Sequence, residues 1–417
     1  MKIPRRQFLA SAAAGLASAG LGTRLVTAAD QKTVGATPGE RPPPPAGSQP
    51  FLTPAGDFED VSRGTPKPWS LQGEALAQAG LTPETWRLEV TADDATLDYV
   101  KEKTSISRPL SLDLPALHAL GKKHAVRYIK AMQCLNIPGP LGQGLWEGVP
   151  LRDVLRLTGK MMNVRRIYYW GFHNGDPKQI FRSSLSYSQV METPPEELPV
   201  FLAYRLNGED LTLKRGGPVR MVVPWAHGFK SVKWLQRIVL TNDYKANDTY
   251  AEKNNDPESH LKTAAYLNDV AKQVPSGQAV MITGRAIAGW SGLRRVEAWL
   301  RPVNGEVADL DDDDPVWDSA QWQECQLDGP PGNWNSVLPK GISTKDVLGF
   351  DRQTGQPRSW PLRYSMVGWS AKLNGLARGR YELRARAVDL NGIAQPEPRS
   401  MLKTGRNGIQ VRRFAVV

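Results

Sequence analysis

The sequence contains little cysteine and histidine, and it lacks the long apolar runs of membrane proteins. Its 417 residues include two cysteines, which excludes a disulfide-rich scaffold. None of the five histidines stands at a spacing typical of zinc ligands, so a zinc enzyme is not indicated. The small, apolar stretch over residues 10–22 is shorter than the roughly 20 residues that cross a bilayer. With 40% hydrophobic and 23% charged residues, the chain has the composition of an ordinary globular protein.

Several catalytic signatures are also missing. No Gly-x-Gly-x-x-Gly follows a predicted strand and no Walker A motif occurs, so nicotinamide and nucleotide chemistry lack support. No Gly-x-Ser-x-Gly elbow is present, which weakens the case for a hydrolase. A Cys-x-x-Cys-His motif is absent as well, so any haem that serves this chain has to sit on another protein.

Negative charge is the scarcer sign, and the N-terminus has the pattern of an export signal. Lysine and arginine number 53 against 42 acidic residues, a net charge of +11. Arg5-Arg6-Gln7-Phe8-Leu9 precedes the apolar stretch, and small residues follow near position 29, an order typical of twin-arginine signal peptides. We therefore expect a signal peptide over 1–29 and a periplasmic protein with no membrane span after its removal; the alternative is a basic N-terminus on a cytoplasmic protein.

Export by this route favours a cofactor enzyme, because the twin-arginine system carries folded proteins whose cofactors are often inserted in the cytoplasm. Nucleic acid is then a poor explanation for the positive charge. An anionic cofactor, a small anionic substrate or an acidic electron-transfer partner fits the charge better.

The rest of the chain divides by pattern. Residues 30–68 form a Pro/Gly-rich leader. Residues 69–275 mix strands, such as 126–132, with short helices, such as one predicted over 149–158. Residues 276–417 show alternating strands separated by Gly/Pro loops. The patterns predict an α+β protein: a mixed α/β domain over 69–275, then an immunoglobulin-like β-sandwich over 276–417.

Cys134 stands where an apolar strand ends, directly before a Pro/Gly-rich stretch from Ile137. A thiol at a strand-to-loop junction is held rigidly and suits a soft metal ligand or a nucleophile. Two alternatives remain open at this point, a buried structural thiol and a disulfide with Cys325.

Two further clusters carry polar side chains at strand ends. One loop brings Lys230, Ser231 and Lys233 together and could seat a phosphate, the alternative being a solvated basic loop. His173 and Asn174 follow another predicted strand and could line the same cavity. The acidic run at 311–314 lacks the spaced pattern of a calcium loop, so we interpret it as a solvated loop.

Five segments, taken in order, resemble the sulfite oxidase family of molybdopterin enzymes in its twin-arginine-exported bacterial form. They are Gln-Cys-Leu-Asn at 133–136, Gly-Val-Pro-Leu-Arg-Asp-Val-Leu at 148–155, Leu-Ala-Tyr-Arg-Leu-Asn-Gly-Glu at 202–209, Gly-Pro-Val-Arg-Met-Val-Val-Pro at 217–224 and Val-Lys-Trp-Leu at 232–235. Gly-Arg-Ala at 284–286 and Arg-Val-Glu at 295–297 resemble the family's dimerisation domain. The resemblance extends over about residues 51–417.

The resemblance implies a molybdenum–molybdopterin cofactor, a small anionic or sulfur-containing substrate, an external periplasmic c-type cytochrome as electron acceptor, and a homodimer. It makes Cys134 the ligand to molybdenum. It also implies that Arg220, Phe181 and Arg182 are catalytic residues together with Cys134. The residues that it implies for cofactor binding are Asn136, His173, Asn174, Arg220, Lys230, Ser231 and Lys233.

The sequence departs from the family near the metal. The family's Tyr-Gly-x-Ser stretch corresponds here to Phe181-Arg182-Ser183-Ser184, and the arginines that follow the family's cysteine are missing. Arg63, Arg127 or Arg182 could replace the lost charge. From the resemblance we expect this protein to be an oxidoreductase that acts on sulfite, and the departures widen the expected substrate to include a related sulfur compound. The alternatives are a sulfane dehydrogenase-like member, a reductase of an S-oxide or N-oxide, and a catalytically silent scaffold.

Overall fold

A computed structural model describes residues 50–93, 102–137, 139–246, 249, 256–305, 309–397 and 407–417. The predicted signal peptide, 1–29, and the leader up to residue 49 lie outside the described residues. The N-terminal strands are β1 (Arg87–Ala92), β2 (Ser105–Ile106), β3 (Leu110–Asp113), β4 (Val126–Gln133), β5 (Pro140–Pro150), β6 (Met161–Met162), β7 (Arg166–Gly171), β8 (Ser183–Ser186), β9 (Phe201–Leu206), β10 (Glu209–Asp210), β11 (Arg220–Val222) and β12 (Leu235–Thr241).

The C-terminal strands and the helices complete the element list. The strands are β13 (Ala264–Leu267), β14 (Gln273–Val274), β15 (Val280–Ile287), β16 (Arg295–Pro302), β17 (Gln323–Glu324), β18 (Gln326–Leu327), β19 (Met366–Leu373), β20 (Gly379–Val388) and β21 (Val411–Val416). The helices are α1 (Gly73–Gln78), α2 (Leu114–His124), α3 (Leu151–Leu155), α4 (Tyr187–Met191) and α5 (Val316–Ser319).

The first half is built on two sheets that share one core. One sheet has the strand order β3-β1-β12-β7-β8, in which β1 and β12 run parallel. The other has the order β10-β9-β5-β4, and β11 pairs with β9 beside it. Trp86, Trp146, Tyr169 and Phe201 are fully buried between them. Large aromatic side chains therefore fix the spacing of the two sheets.

Strand β5 was not anticipated from the sequence, because proline and glycine are rare inside strands. Its glycines stand where the backbone passes very close to neighbours. A Cβ at Gly148 would lie 2.0 Å from the Leu202 carbonyl oxygen, and one at Gly142 would lie 2.6 Å from the Phe58 ring. The helix predicted over 149–158 is wrong at its start, since Val149 belongs to β5 and the helix begins at Leu151.

The second half is a β-sandwich. Its sheets have the orders β13-β15-β19-β18 and β14-β21-β20-β16-β17. Ile282 and Trp369 from the first sheet pack with Val296, Leu383 and Phe414 from the second in one buried cluster. The predicted fold class, a mixed α/β domain with a β-sandwich after it, is confirmed. The domain boundaries given above stay a prediction.

The outer face of β20 carries a buried carboxylate that is paired with arginines of the same sandwich. Glu382 is 1% exposed and accepts from Arg384 at 2.8 Å and Arg301 at 3.0 Å, while Arg413 lies 3.1 Å away. Burial alone would raise the pKa of Glu382, but the hydrogen bond and charge of Arg384 outweigh it and lower that pKa. This cluster stabilises the sandwich without any outside ligand.

The long connection between β18 and β19 joins the two halves. Trp334 and Phe350 of this connection pack against Ile129 and Leu145, on strands β4 and β5. Gln143, fully buried on β5, donates to the Phe51 carbonyl at 2.9 Å and accepts from the Met366 amide. One side chain thus fastens the N-terminal segment and β19 to the same strand.

Across the described ranges, the helices are all too short or too polar to span a bilayer.

Replacing Gln143 with alanine should lower stability measurably. The change leaves the Phe51 carbonyl and the Met366 amide buried without their partner, and each such group costs about 1–3 kcal/mol. Urea unfolding followed by tryptophan fluorescence measures the loss. Gln326→Ala removes an exposed glutamine from β18 and is the matched control. Equal midpoints for the two variants would contradict the role of Gln143.

Candidate cofactor site

A cavity of about 370 Å³ opens where the loops after β4, β7 and β11 come together. The loop after β4 contributes Cys134 and Asn136, and the loop after β7 contributes His173. Residues 228–234, between β11 and β12, form a third side. Residues 58–64 of the N-terminal segment form the fourth. The volume lies within the range of small-molecule and cofactor sites, roughly 300–1,000 Å³.

Cys134 is held at the cavity wall by the residue before it. The half-buried thiol follows β4 directly and is not in a disulfide, and neither is Cys325. The side-chain amide of Gln133 donates to the carbonyls of Cys134 at 3.1 Å and of Ile137 at 2.7 Å. These bonds brace the loop on which the thiol stands, so a fixed thiol faces the cavity. Because both cysteines are free, the disulfide alternative is wrong.

Two buried arginines have more hydrogen-bond donors than the surrounding residues have acceptors for them. Arg220 donates to the carbonyls of Arg215 at 2.8 Å and Ser231 at 2.6 Å, and Arg215 donates to the Phe58 carbonyl at 2.9 Å. In the described part of the chain, the Nε of Arg220 and one terminal nitrogen of Arg215 are buried without a hydrogen-bond partner. Both residues line the cavity. A buried guanidinium with a spare donor is a ready seat for an anion.

Burial and a neighbouring positive charge lower the pKa values of Arg220 and Lys130. Burial, together with the charge of nearby Arg215, lowers the pKa of Arg220 to about 9. Burial and the charge of Arg220 lower the pKa of Lys130 to about 7. The Lys130 ammonium is fully buried and donates to the carbonyls of Ala131 and Ala226. The cluster is therefore short of negative charge.

One carboxylate reaches this cluster from the N-terminal segment. Lys233 donates to Asp60 at 2.9 Å. Burial and Arg220 lower the pKa of Lys233 to about 7, against the opposing effect of Asp60. Burial opposes the ionisation of Asp60, but its bonds from Ser62 and Lys233 lower its pKa to about 2. Asp60 thus stays ionised at neutral pH.

The cavity also holds the position at which the sequence departs from the family. Phe181 lines the cavity, and the guanidinium carbon of Arg63 lies 4.3 Å from the centre of its ring. Of the three arginines named as replacements, Arg127 pairs with Glu147 at 2.6 Å and Arg182 lies over the Tyr168 ring at 5.0 Å. Arg63 is the one of these three that lines the cavity.

The structure brings together most of the predicted site residues. Those on the cavity wall are Cys134, Asn136, His173, Phe181, Arg220, Ser231 and Lys233. Asn174, Arg182 and Lys230 lie elsewhere in the described structure: Asn174 donates to the Pro66 carbonyl at 3.0 Å, and buried Lys230 donates to the Ser184 carbonyl at 2.8 Å. The functional roles assigned to all ten residues stay predictions.

Sequence reasoning missed Arg215, Lys130 and Asp60. Arg215 stands two residues before the Gly-Pro-Val-Arg segment, and its charge beside a glycine pair was the available signal. Lys130 interrupts the apolar run at 128–132 inside β4, which was a second signal. Asp60 gave no local signal, because its partner is 173 residues away.

The residues present fit a molybdopterin cofactor. A rigid thiol on one side of the cavity suits a soft metal such as molybdenum. The unpartnered donors of Arg215 and Arg220, with Lys233 beside them, suit an anionic group such as the phosphate of the pterin. Both chemical demands of the cofactor are met by side chains on one cavity.

Comparison with known proteins supports this assignment. Residues 76–249 match the family model of the oxidoreductase molybdopterin binding domain. Chicken (Gallus gallus) sulfite oxidase is 26% identical over 234 residues, 50% of each chain, and a nitrate reductase [NAD(P)H] from Betula pendula is 34% identical over 133 residues, 31% of this chain and 14% of that protein. The chain thus spans half or less of the length of these relatives.

A solved structure has the same fold. The sulfane dehydrogenase SoxCD from Paracoccus pantotrophus matches with a TM-score of 0.54 at 18% identity, covering 84% of this chain and 86% of that one. The fold, the cavity and the family model together define a molybdopterin-binding oxidoreductase domain. Residues 76–249 are thus an oxidoreductase molybdopterin binding domain, and the chain is similar to sulfite oxidase over about half of its length.

The stability of the cofactor-free protein should rise with pH above 7 because of Lys130. Its folded-state pKa of about 7 lies below the unfolded value of roughly 10.4. Between these values the unfolded chain binds a proton that the folded chain does not, so the penalty present below pH 7 fades as the pH rises. The slope from this group is at most about 1.4 kcal/mol per pH unit.

Lys130→Met tests this assignment. Thermal unfolding from pH 7 to 9, on protein produced without molybdate, should show a shallower rise for this variant than for wild type. Lys122→Met alters an exposed lysine and should keep the wild-type slope. Parallel curves for wild type and Lys130→Met would count against the buried charge.

Proposed function

We propose that this protein oxidises sulfite or a related small sulfur compound and passes the electrons to an external c-type cytochrome. The observation that carries the proposal is the cavity that joins the Cys134 thiol to the buried arginines. For sulfite the balance is simple: sulfite and water give sulfate, two protons and two electrons. The cytochrome takes these electrons one at a time.

The molybdenum cofactor would supply the oxygen-atom transfer and the two-electron redox change when bound. The chain's own residues hold and orient it. Cys134 would give its thiolate to the metal, while the spare donors of Arg215 and Arg220 would hold the anionic end, with the charge of Lys233 beside them.

Arg63 and Phe181 support an anionic substrate. Phe181 has no hydroxyl group at the position of the family's tyrosine, so it offers no hydrogen bond there. Arg63, which lies against its ring, brings a positive charge to the same wall of the cavity. The loss of the hydroxyl also favours, as a second candidate, a sulfane dehydrogenase-like oxidation of a different sulfur compound.

The setting of the reaction is part of the proposal. The twin-arginine pattern supports export to the periplasm, where c-type cytochromes are assembled. The basic charge of the chain supports an acidic partner surface on that cytochrome. The sandwich supports a homodimer through its resemblance to the family's dimerisation domain.

Cys134→Ser should abolish turnover while the fold remains. We expect sulfite-dependent reduction of an artificial acceptor to fall more than about 100-fold, since even the partners of metal ligands are worth 10–100-fold. The unfolding midpoint should move little, because such a substitution costs about 1–3 kcal/mol. Cys325→Ser is the matched control: burial raises the pKa of that thiol to about 12, and it lies in the sandwich core.

Molybdenum content, measured by elemental mass spectrometry on the exported protein, completes the test. Wild type should hold close to one molybdenum per chain. Full activity in Cys134→Ser would refute the ligand assignment, and wild type without molybdenum would refute the function. Molybdenum without turnover on any sulfur substrate would leave the scaffold interpretation.

Arg63→Ala should weaken substrate binding more than it slows the chemical step. We expect KM for sulfite to rise about tenfold, the value of one lost charged contact, with a smaller change in kcat. Arg63→Lys should recover part of the loss, and Arg87→Ala, at the exposed first position of β1, should change neither constant. An unchanged KM in Arg63→Ala would show that the substrate does not use this charge.

A further inference from the structure

The N-terminal residues 58–64, here called the covering segment, close one side of the cofactor cavity. They stand before residue 76, where the match to the family model begins. Phe58 is 5% exposed and packs edge-on against Trp146 with ring centres 6.0 Å apart. The amide of Glu59 donates to the Leu141 carbonyl at 2.9 Å. The covering segment thus packs against the matched domain although it precedes that domain in the chain.

Hydrogen bonds hold the chain on either side of the covering segment. Upstream, the Thr53 amide donates to the Gln143 carbonyl at 2.7 Å. Downstream, the Thr65 amide donates to the Gln179 side chain at 3.1 Å, and Asn174 donates to the Pro66 carbonyl. Asn174, whose cofactor-binding role stays a prediction, thus also holds the chain directly after this segment.

The middle of the covering segment is held by Lys233. An ammonium group has three hydrogens to donate. Those of Lys233 go to Asp60 Oδ1 at 2.9 Å, Ser62 Oγ at 2.7 Å and the Lys214 carbonyl at 2.8 Å. Two of the three acceptors belong to the covering segment. Lys233, which lies on the side of the cavity between β11 and β12, therefore joins that side to the covering segment.

The ion pair is shielded from water. The side chains of Lys233 and Asp60 are 15% and 16% exposed. Salt and solvent screen such a pair less than one on the surface. Lifting the covering segment would separate the pair and return Lys233 to a site already crowded by Arg215 and Arg220.

We propose that Asp60 is a positioning residue that fastens the covering segment across the cavity through Lys233 and so retains the bound cofactor. This rests on the proposed function only in that the cavity holds molybdopterin. A cofactor seated between Cys134 and the arginines is then enclosed by residues 58–64. Its escape requires the segment to open.

Two rates measured on the exported, full-length holoenzyme test this role. The first is the loss of molybdenum during dialysis. The second is tryptic cleavage after Arg63, the one lysine or arginine between residues 50 and 66. In Asp60→Asn both rates should increase about tenfold, the change expected when one hydrogen bond to a charged group is weakened.

The controls separate fastening from general damage. Asp57→Asn makes the same chemical change on an exposed carboxylate three residues away and should behave as wild type. Ser62→Ala removes a neutral acceptor of Lys233 and should increase both rates by a smaller factor than Asp60→Asn. This milder variant keeps the test open if Asp60→Asn does not fold.

Each result bears on the proposal differently. Wild-type rates of metal loss in a loaded Asp60→Asn protein would overturn it, even if cleavage after Arg63 became faster. Wild type that never contains molybdenum would overturn the proposed function instead. In that case tryptic cleavage, which needs no cofactor, still decides whether Asp60 fastens the segment.

Discussion

The arrangement that the site depends on is a set of buried positive charges around one cavity. Lys130, Arg215, Arg220 and Lys233 are buried or nearly so, and burial lowers the pKa of each. For Lys130, Arg220 and Lys233, a neighbouring arginine acts in the same direction. Backbone carbonyls accept most of their hydrogen bonds, which satisfies the donors without adding negative charge. An anionic cofactor supplies that charge, so binding relieves a cost built into the fold.

The sandwich shows the opposite use of the same residue type. Arg301 and Arg384 both contact the carboxylate of Glu382, which lies within the sandwich itself. Neither a count of arginines nor a spare donor distinguishes the two places, since Arg301 and Arg384 also have, among the described residues, a buried nitrogen without a hydrogen-bond partner. The difference is that Arg215 and Arg220 line a cavity and bond to backbone carbonyls, so the place of the anion is open to a ligand.

The two cysteines differ in the same way. Cys325 is buried in the sandwich core, where burial first and nearby glutamates second raise its pKa to about 12. Cys134 stands half-buried on a loop braced by Gln133, at the wall of a cavity rich in positive charge. One thiol stays protonated and packs; the other is placed to bind a metal. The covering segment then adds a wall that the matched domain does not contain.

The sequence by itself determined the fold class, the β-sandwich and the strand-end position of Cys134, because these follow from local hydrophobic patterns and from contiguous motifs. It also identified the loop that holds Ser231 and Lys233. Strand β5 escaped detection, since its glycines serve close packing against distant residues. Only the tertiary structure separated Lys233 from Lys230, which lie three residues apart yet contact different partners. It alone joined Asp60 to Lys233, because a contact between residues so far apart in the chain depends on the folded path between them and not on either local sequence.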